Sequence, residues 1–423
     1  MSINTELFEF IKNSPSAYHT VASVKDALTQ NGYTELYEGD EWHITDGKGY
    51  FVTKNGTSII AFKARSGANG FMIAASHSDF PSFRLKISPE TSGAYTRLLV
   101  EGYGGMINYT WLDRPLSIAG RVVVRTECGV ASRLVNIDRD IAVIPSVAIH
   151  LNRLVNDGYK FNHAVDLLPL VASSEGNGCV MAEIAKLAGA SVSDIVSHDL
   201  FLYNREAGRM VGAKNEFVLA PRLDDLGCVF SSLKAHISAK ESDSIPVLAV
   251  FDNEEVGSST KQGAASTFLY DTLKRISGGD LEKMLASSFM VSADNAHAKH
   301  PNHPELADAE NAPVLNGGIV VKWNANQKYA TDGVSDAIFR TICERCGAKT
   351  QIYYNRADMP GGSTLGSISN TKVSVATVDI GLPQLAMHSA IETAGAEDVS
   401  ELIKALTELF GTSLKKTANG YNF

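Results

Sequence analysis

Five segments of this 423-residue chain each carry metal-type ligands directly after an apolar run. They are Phe71-Met-Ile-Ala-Ala-Ser-His77-Ser-Asp79, Pro221-Arg-Leu-Asp224-Asp225, Val247-Leu-Ala-Val-Phe-Asp-Asn-Glu254-Glu255, Ser287-Ser-Phe-Met-Val-Ser-Ala-Asp294 and Leu385-Ala-Met-His388. No segment alone builds a site. The strand ends of an α/β sheet converge on one crevice, so groups far apart in sequence can meet there. Two histidines and several carboxylates, with no cysteine among them, suit a pair of exchangeable divalent ions better than a closed structural site. The chemistry indicated is metal-assisted hydrolysis.

Each segment also has a plainer reading. Asp79 can accept the spare ring N–H of His77 if both point the same way along a strand, or the two are a surface histidine and a capping acid. Asp224 and Asp225 precede a helix and can cap it, or Asp224 can bridge two cations with its two oxygens. Glu254 and Glu255 follow Val-Leu-Ala-Val-Phe, where burying two acids is costly unless they are paired or ligating. A division of labour suits them, one holding metal and the other taking a proton from the attacking water. Asp294 comes directly after a strand and is the better ligand of its segment. His297, His300 and His303 stand in a loop broken by prolines and read as loop structure or pocket wall. His388 sits at a turn, and Gly361 and Gly362 belong to Met359-Pro-Gly-Gly-Ser-Thr-Leu-Gly366, which lacks the end of a P-loop. Its backbone N–H groups can line a substrate pocket instead.

The elements that must position these groups alternate. A helix is expected over Thr5 to Asn13, then a turn at Ser14-Pro15-Ser16 and a second helix through Ala27, followed by strands at Gly49 to Thr53, Ser58 to Lys63 and Gly70 to Ser76. From about Ser92 to Ala220 the texture becomes β-rich, with short strands at Leu98, Leu116 to Ile118, Arg121 to Arg125 and Ile141 to Ile144. After Pro221 helix and strand alternate again: helices at Gly227 to Ala239, Thr267 to Ile276, Thr331 to Cys346 and Val399 to Phe410, strands at Ile245 to Phe251, Ser288 to Ser292 and Ser374 to Asp379. The pattern is an α/β domain interrupted by a β-rich insertion.

The totals narrow the classes. A chain of this length exceeds what one core usually covers, so two domains are expected. A net charge of −9 with no basic block argues against a nucleic-acid surface. Five cysteines in no framework spacing suit a reducing compartment. Cys343 and Cys346 have CxxC form but fall at the end of an amphipathic helix, where ordinary helix cysteines are expected. No secretory signal is visible, and no stretch approaches the roughly 18 apolar residues of a membrane span, so the cytoplasm is the expected location.

Taken in order, Ser76-His77-Ser-Asp79-Phe-Pro, Tyr103-Gly-Gly, Trp111-Leu-Asp-Arg, Ala148-Ile-His150-Leu, Arg222-Leu-Asp224, Asn253-Glu254-Glu255-Val-Gly-Ser258, Ser292-Ala-Asp294-Asn-Ala-His297, Tyr329-Ala-Thr and Pro383-Gln-Leu-Ala-Met-His388-Ser389 resemble the M18 metallopeptidases, the aspartyl aminopeptidases. The likeness spans essentially the whole chain. It implies a mixed-sheet, three-layer αβα zinc-exopeptidase-like catalytic domain (residues 1–90 and 221–423) interrupted by a β-rich dimerisation domain (91–220). It implies two zinc ions, or other divalent ions such as cobalt or manganese, and removal of an N-terminal Asp or Glu from peptides. His77, Asp224 and Asp294 would hold one metal, with Asp224 bridging to a second held by Glu255 and His388. Glu254 would be the general base and Asp79 would support His77. Family members assemble into dodecamers built from dimers, in which His150 would reach a neighbour's active site; read locally, His150 is a core histidine. Lys322 is the candidate for binding an acidic side chain, with Gly361 and Gly362 as pocket wall; a solvated strand lysine is the other reading. Two departures bear on the pocket. Asp225 stands where asparagine is expected in many members, and Gly361 stands where cysteine is common. Neutral N-terminal specificity, or a related di-metal carboxypeptidase or amidohydrolase, remain the alternatives.

Overall fold

The computed structural model of the protein describes residues 2–91 and 93–423. Its centre is a nine-stranded mixed sheet in the order Thr34–Leu36, Gly49–Lys54, Ser58–Lys63, Ile245–Phe251, Phe71–His77, Phe289–Ala293, Ala376–Gly381, Ile319–Trp323 and Thr350–Tyr354. The middle four strands, from Ile245–Phe251 to Ala376–Gly381, run parallel. Phe71–His77 and Ile245–Phe251 are buried at every position, which is why both read as unbroken apolar runs.

Alternate side chains of these strands feed opposite faces. Met72 and Ala74 pack with the helices Ile3–Lys12, Leu223–Ser238, Gly333–Cys346 and Asp398–Phe410. Phe71, Ile73 and Ala75 pack on the other face with Phe268–Ile276, Leu281–Leu285 and Leu365–Ser369. The expected αβα layering is therefore present. Its consequence is that the C-terminal ends of the four parallel strands open at one rim, and His77, the Glu254–Glu255 turn and Asp294 all leave from that rim.

A six-stranded antiparallel sheet lies between the two parts of this arrangement in sequence. Its order is Gly129–Asn136, Leu116–Thr126, Ile195–Asn204, Ser82–Thr91, Tyr95–Tyr103, Leu170–Ser173, and it has a hydrophobic core of its own. The two strands expected at Leu116 and Arg121 are one. Gly120 joins them, and a Cβ there would fall 2.0 Å from the carbonyl oxygen of Asp199 on the next strand. Ile141 to Ile144 makes only isolated bridges rather than a strand. The helix Cys179–Leu187 and the strands Gly129–Asn136 and Ile195–Asn204 had no clear signal, because charged and apolar residues mix on their exposed faces.

A five-stranded sheet, ordered Arg209–Val211, Phe217–Ala220, Glu392–Gly395, Pro383–Leu385, Ala296–His297, closes one side of the rim. Cys343 and Cys346 end their helix as free thiols, the Cys346 thiol donating to the Cys343 carbonyl at 3.4 Å. Burial pushes both thiols up, which opposes thiolate chemistry. No described helix is long and apolar enough to cross a membrane.

Candidate metal centre

His77 ends its strand with 1% of its surface exposed, and its backbone N–H donates to Asp225 Oδ2 at 3.1 Å. The Nε2 atom faces Asp224 Oδ1 at 3.6 Å. The other ring nitrogen, Nδ1, lies 3.0 Å from the backbone carbonyl of Asp79 and 3.4 Å from its carboxylate. The supporting contact expected from the Asp79 side chain is thus made more closely by its main chain, because Asp79 lies past the strand end, where alternation no longer aligns the pair. The Asp79 carboxylate does something else. It accepts the N–H groups of Glu254 and Glu255, at 3.1 and 3.2 Å, and the Tyr103 hydroxyl at 2.7 Å. Asn253 Nδ2 donates in turn to the Tyr103 oxygen at 2.8 Å. One carboxylate therefore fixes the turn that carries both glutamates.

Asp224 and Asp225 are not caps. The helix Leu223–Ser238 starts ahead of them, its N-cap is Arg222 without a side-chain bond, and both aspartates have non-helical dihedrals. They are nearly or fully buried, at 3% and 0% exposure. Asp224 Oδ2 lies 3.3 Å from His388 Nε2, which lies 3.4 Å from Glu255 Oε1. His388 Nδ1 sits 2.8 Å from the carbonyl of Gly105, so Nδ1 carries the proton and Nε2 is free to ligate. The adjoining Gly104 is required to be small, since a Cβ there would fall 3.1 Å from Glu255 Cβ, at a φ of 74°.

Three groups result whose donor atoms lie within 4.8 Å of one another: His77 with Asp224, Asp225 and Asp294; His77 with Glu254 and Glu255; and Asp224 with Glu255 and His388. Asp225 is an unexpected member of the first. The electrostatics are those of a cation site. Burial, followed by the Asp294 carboxylate, pushes Glu254 up to about 8. Burial also raises Glu255, Asp225 and Asp294. Against the same burial, His388 and His77 hold Asp224 below the carboxylate range. Buried carboxylate oxygens on Asp224, Asp225 and Glu255 have no hydrogen-bond partner. A nitrogen and oxygen donor set with orphaned acceptors fits divalent zinc.

Lys322 is buried, not solvated, at 3% exposure. Its Nζ donates to the Asn295 carbonyl at 2.9 Å and stands 3.8 Å from Asp294 Oδ2. It lines the cleft over the cluster together with His297, Tyr329, Tyr353 and Gly362 to Thr364. Gly361 is not among those lining residues; it backs onto Asn355 and Asn324. His150 is exposed on a turn and does not line the cleft of its own chain, so the core reading of this residue is corrected. The apolar residues from Ile141 to Leu154 suggested a core, but only those before Pro145 reach one: Ile144 is buried, while Leu151 and Leu154 are exposed.

Tyr103, Asn253, Gly105 and Glu392 were not assigned roles from sequence. Most of their contacts join groups far apart in the chain, such as Tyr103 with Asp79 and Asn253, Gly105 with His388, and Glu392 with Asp224, and a single sequence holds no signal for that.

A model of the aminopeptidase I zinc metalloproteases (M18) matches residues 10–410. A probable M18 family aminopeptidase 2 of Clostridium acetobutylicum is 44% identical, covering 96% of this chain and 98% of its own. A probable aspartyl aminopeptidase of Ricinus communis is 38% identical, covering 97% and 96%. A solved structure of the S. cerevisiae mApe1 dodecamer superposes with a TM-score of 0.86 at 30% identity, covering 97% of this chain and 96% of that one.

Proposed function

The chain belongs to the M18 family of zinc metalloproteases and is an aminopeptidase, and from that premise we propose that it works with two zinc ions and prefers an acidic N-terminal residue. The observation that carries the two-ion reading is the pair of donor groups that share Asp224, one reaching His77 and Asp294, the other Glu255 and His388. Zinc held there supplies a Lewis acid that polarises the scissile carbonyl and lowers the pKa of the attacking water. Glu254 accepts a proton from that water on its carboxylate and returns it to the leaving amine. Asp79 holds the Glu254 backbone while this happens.

Acidic preference rests on Lys322, a buried cation on the cleft wall. Burial opposes its charge, but Asp294 and Tyr329 keep it protonated. A relative named as an aspartyl aminopeptidase agrees with that choice. One observation favours a broader specificity: the same ammonium already faces Asp294 and the Asn295 carbonyl. Initial rates on Asp-, Glu-, Leu- and Met-amides of the zinc-loaded enzyme decide between them. Asp or Glu should be fastest, and Lys322→Met should remove the advantage; faster turnover of Leu-amide in the wild type overturns the acidic preference.

Residues 91–220 act in this reading as the dimerisation domain, and the remainder as the catalytic domain. Assembly as a dodecamer built from dimers would bring His150 to a neighbour's site, and the yeast relative is a dodecamer. Five free cysteines fit a cytoplasmic setting.

A further inference from the structure

Glu392 is buried at 2% exposure and stands first in the strand Glu392–Gly395. It pairs with Ala220, the last residue of Phe217–Ala220, just ahead of the turn that carries Asp224. The same strand pairs on its other side with Pro383–Leu385, from which the chain turns through His388 and returns. Strand register thus places this carboxylate between the two turns. Its Oε2 accepts the backbone N–H of Asp224 at 3.1 Å, and its Oε1 accepts the backbone N–H of His388 at 2.8 Å. Both turns carry a non-glycine residue in the left-handed region, Arg222 at φ 59° and His388 at φ 66°. Such conformations persist only where surrounding contacts hold them.

Building on the two-ion reading, we infer that Glu392 is a positioning residue which clamps Asp224 and His388 into register for the second zinc ion. Asp224 and His388 come from stretches more than 160 residues apart (224 and 388), and their facing atoms are 3.3 Å apart. A single side chain that binds both backbones fixes that spacing directly. The first ion depends on only one clamped residue, Asp224, and so depends on Glu392 less. An amide cannot replace the acid, because a carboxamide offers one accepting oxygen and presents N–H donors at the other position.

The test is a stepwise Zn2+ titration of the metal-free full-length chain by calorimetry, with bound metal counted by elemental analysis. In Glu392→Gln the second ion should weaken by about tenfold or more, as loss of outer-sphere support typically does, and the first by less. Equal loss for both ions, or no loss at all, overturns the inference. Glu392→Asp, too short to reach both amides, should give the same separated pattern if the glutamine variant does not fold. Failure of both variants to fold, read by circular dichroism, would make Glu392 a structural residue and overturn its positioning role. A wild-type chain that takes up one ion only overturns the two-ion reading instead, and with it the second site that Glu392 serves.

Discussion

Glu254 and Glu255 are neighbours on one turn, yet their surroundings divide them. Glu255 lies beside His388 and Asp224, while Glu254 lines the open cleft. Removing the carboxylate of Glu254 should therefore cost catalysis and leave cation binding intact. Glu254→Gln is expected to lower kcat by about 10²–10⁴-fold while two zinc ions still bind; turnover near wild type, or loss of a zinc ion, would rule it out as the base. At this scale the sequence was informative where a candidate ligand directly follows an apolar run. His77, Asp224, Glu255, Asp294 and His388 were all visible as polar residues placed abruptly after apolar runs, and the structure gathers them. Tyr103 was read only as part of a Tyr-Gly-Gly motif with no role of its own, and Glu392 escaped notice because a glutamate among Ser-Ala-Ile looks like an ordinary surface residue. What distinguishes them is a backbone amide or carboxylate that arrives from another part of the chain.

The elements show the same division between local and distant causes. Strands buried on both faces, such as Ile245–Phe251, announce themselves, while the strand Ile195–Asn204, with charged and apolar residues mixed along it, was not picked out within the β-rich region. The helix Leu223–Ser238 illustrates what packing adds to pattern. Its His236 is wholly buried between the rings of Tyr33 and Phe410, with no hydrogen bond to either ring nitrogen. Burial, assisted by the charge of Lys63, lowers its pKa to about 3. The unfolded chain, with an ordinary histidine near 6.5, takes up that proton first. Stability from this site is then complete above about pH 6.5 and falls as the pH drops toward 3, by up to about 1.4 kcal/mol per pH unit. Urea unfolding at pH 7.5 and pH 5 should show a larger loss in wild type than in His236→Phe; equal losses would show that the buried imidazole carries no such linkage.

Across the whole molecule, the inserted sheet is tied to the metal centre through a short segment. Tyr103 holds Asp79, Gly104 makes room for Glu255, and the Gly105 carbonyl orients His388. Beyond that segment, residues 145–166 form an irregular, exposed stretch in which Leu151 is 83% and Leu154 70% exposed. Apolar side chains so far out of the core mark a surface made to be covered. His150 stands among them, on the outside of its own subunit. If it completes the cleft of a neighbour, its loss and the loss of Glu254 fall in different active sites of one assembly. His150→Ala and Glu254→Gln should each be nearly inactive alone. Co-expressed and co-assembled, they should regain activity, because a cleft with an intact Glu254 can receive an intact His150 from the subunit that lacks only Glu254. A strict return to the mean of the two inactive parents would place His150 in its own chain's site, and a fully active His150→Ala would place it outside catalysis; either would separate the assembly from the chemistry.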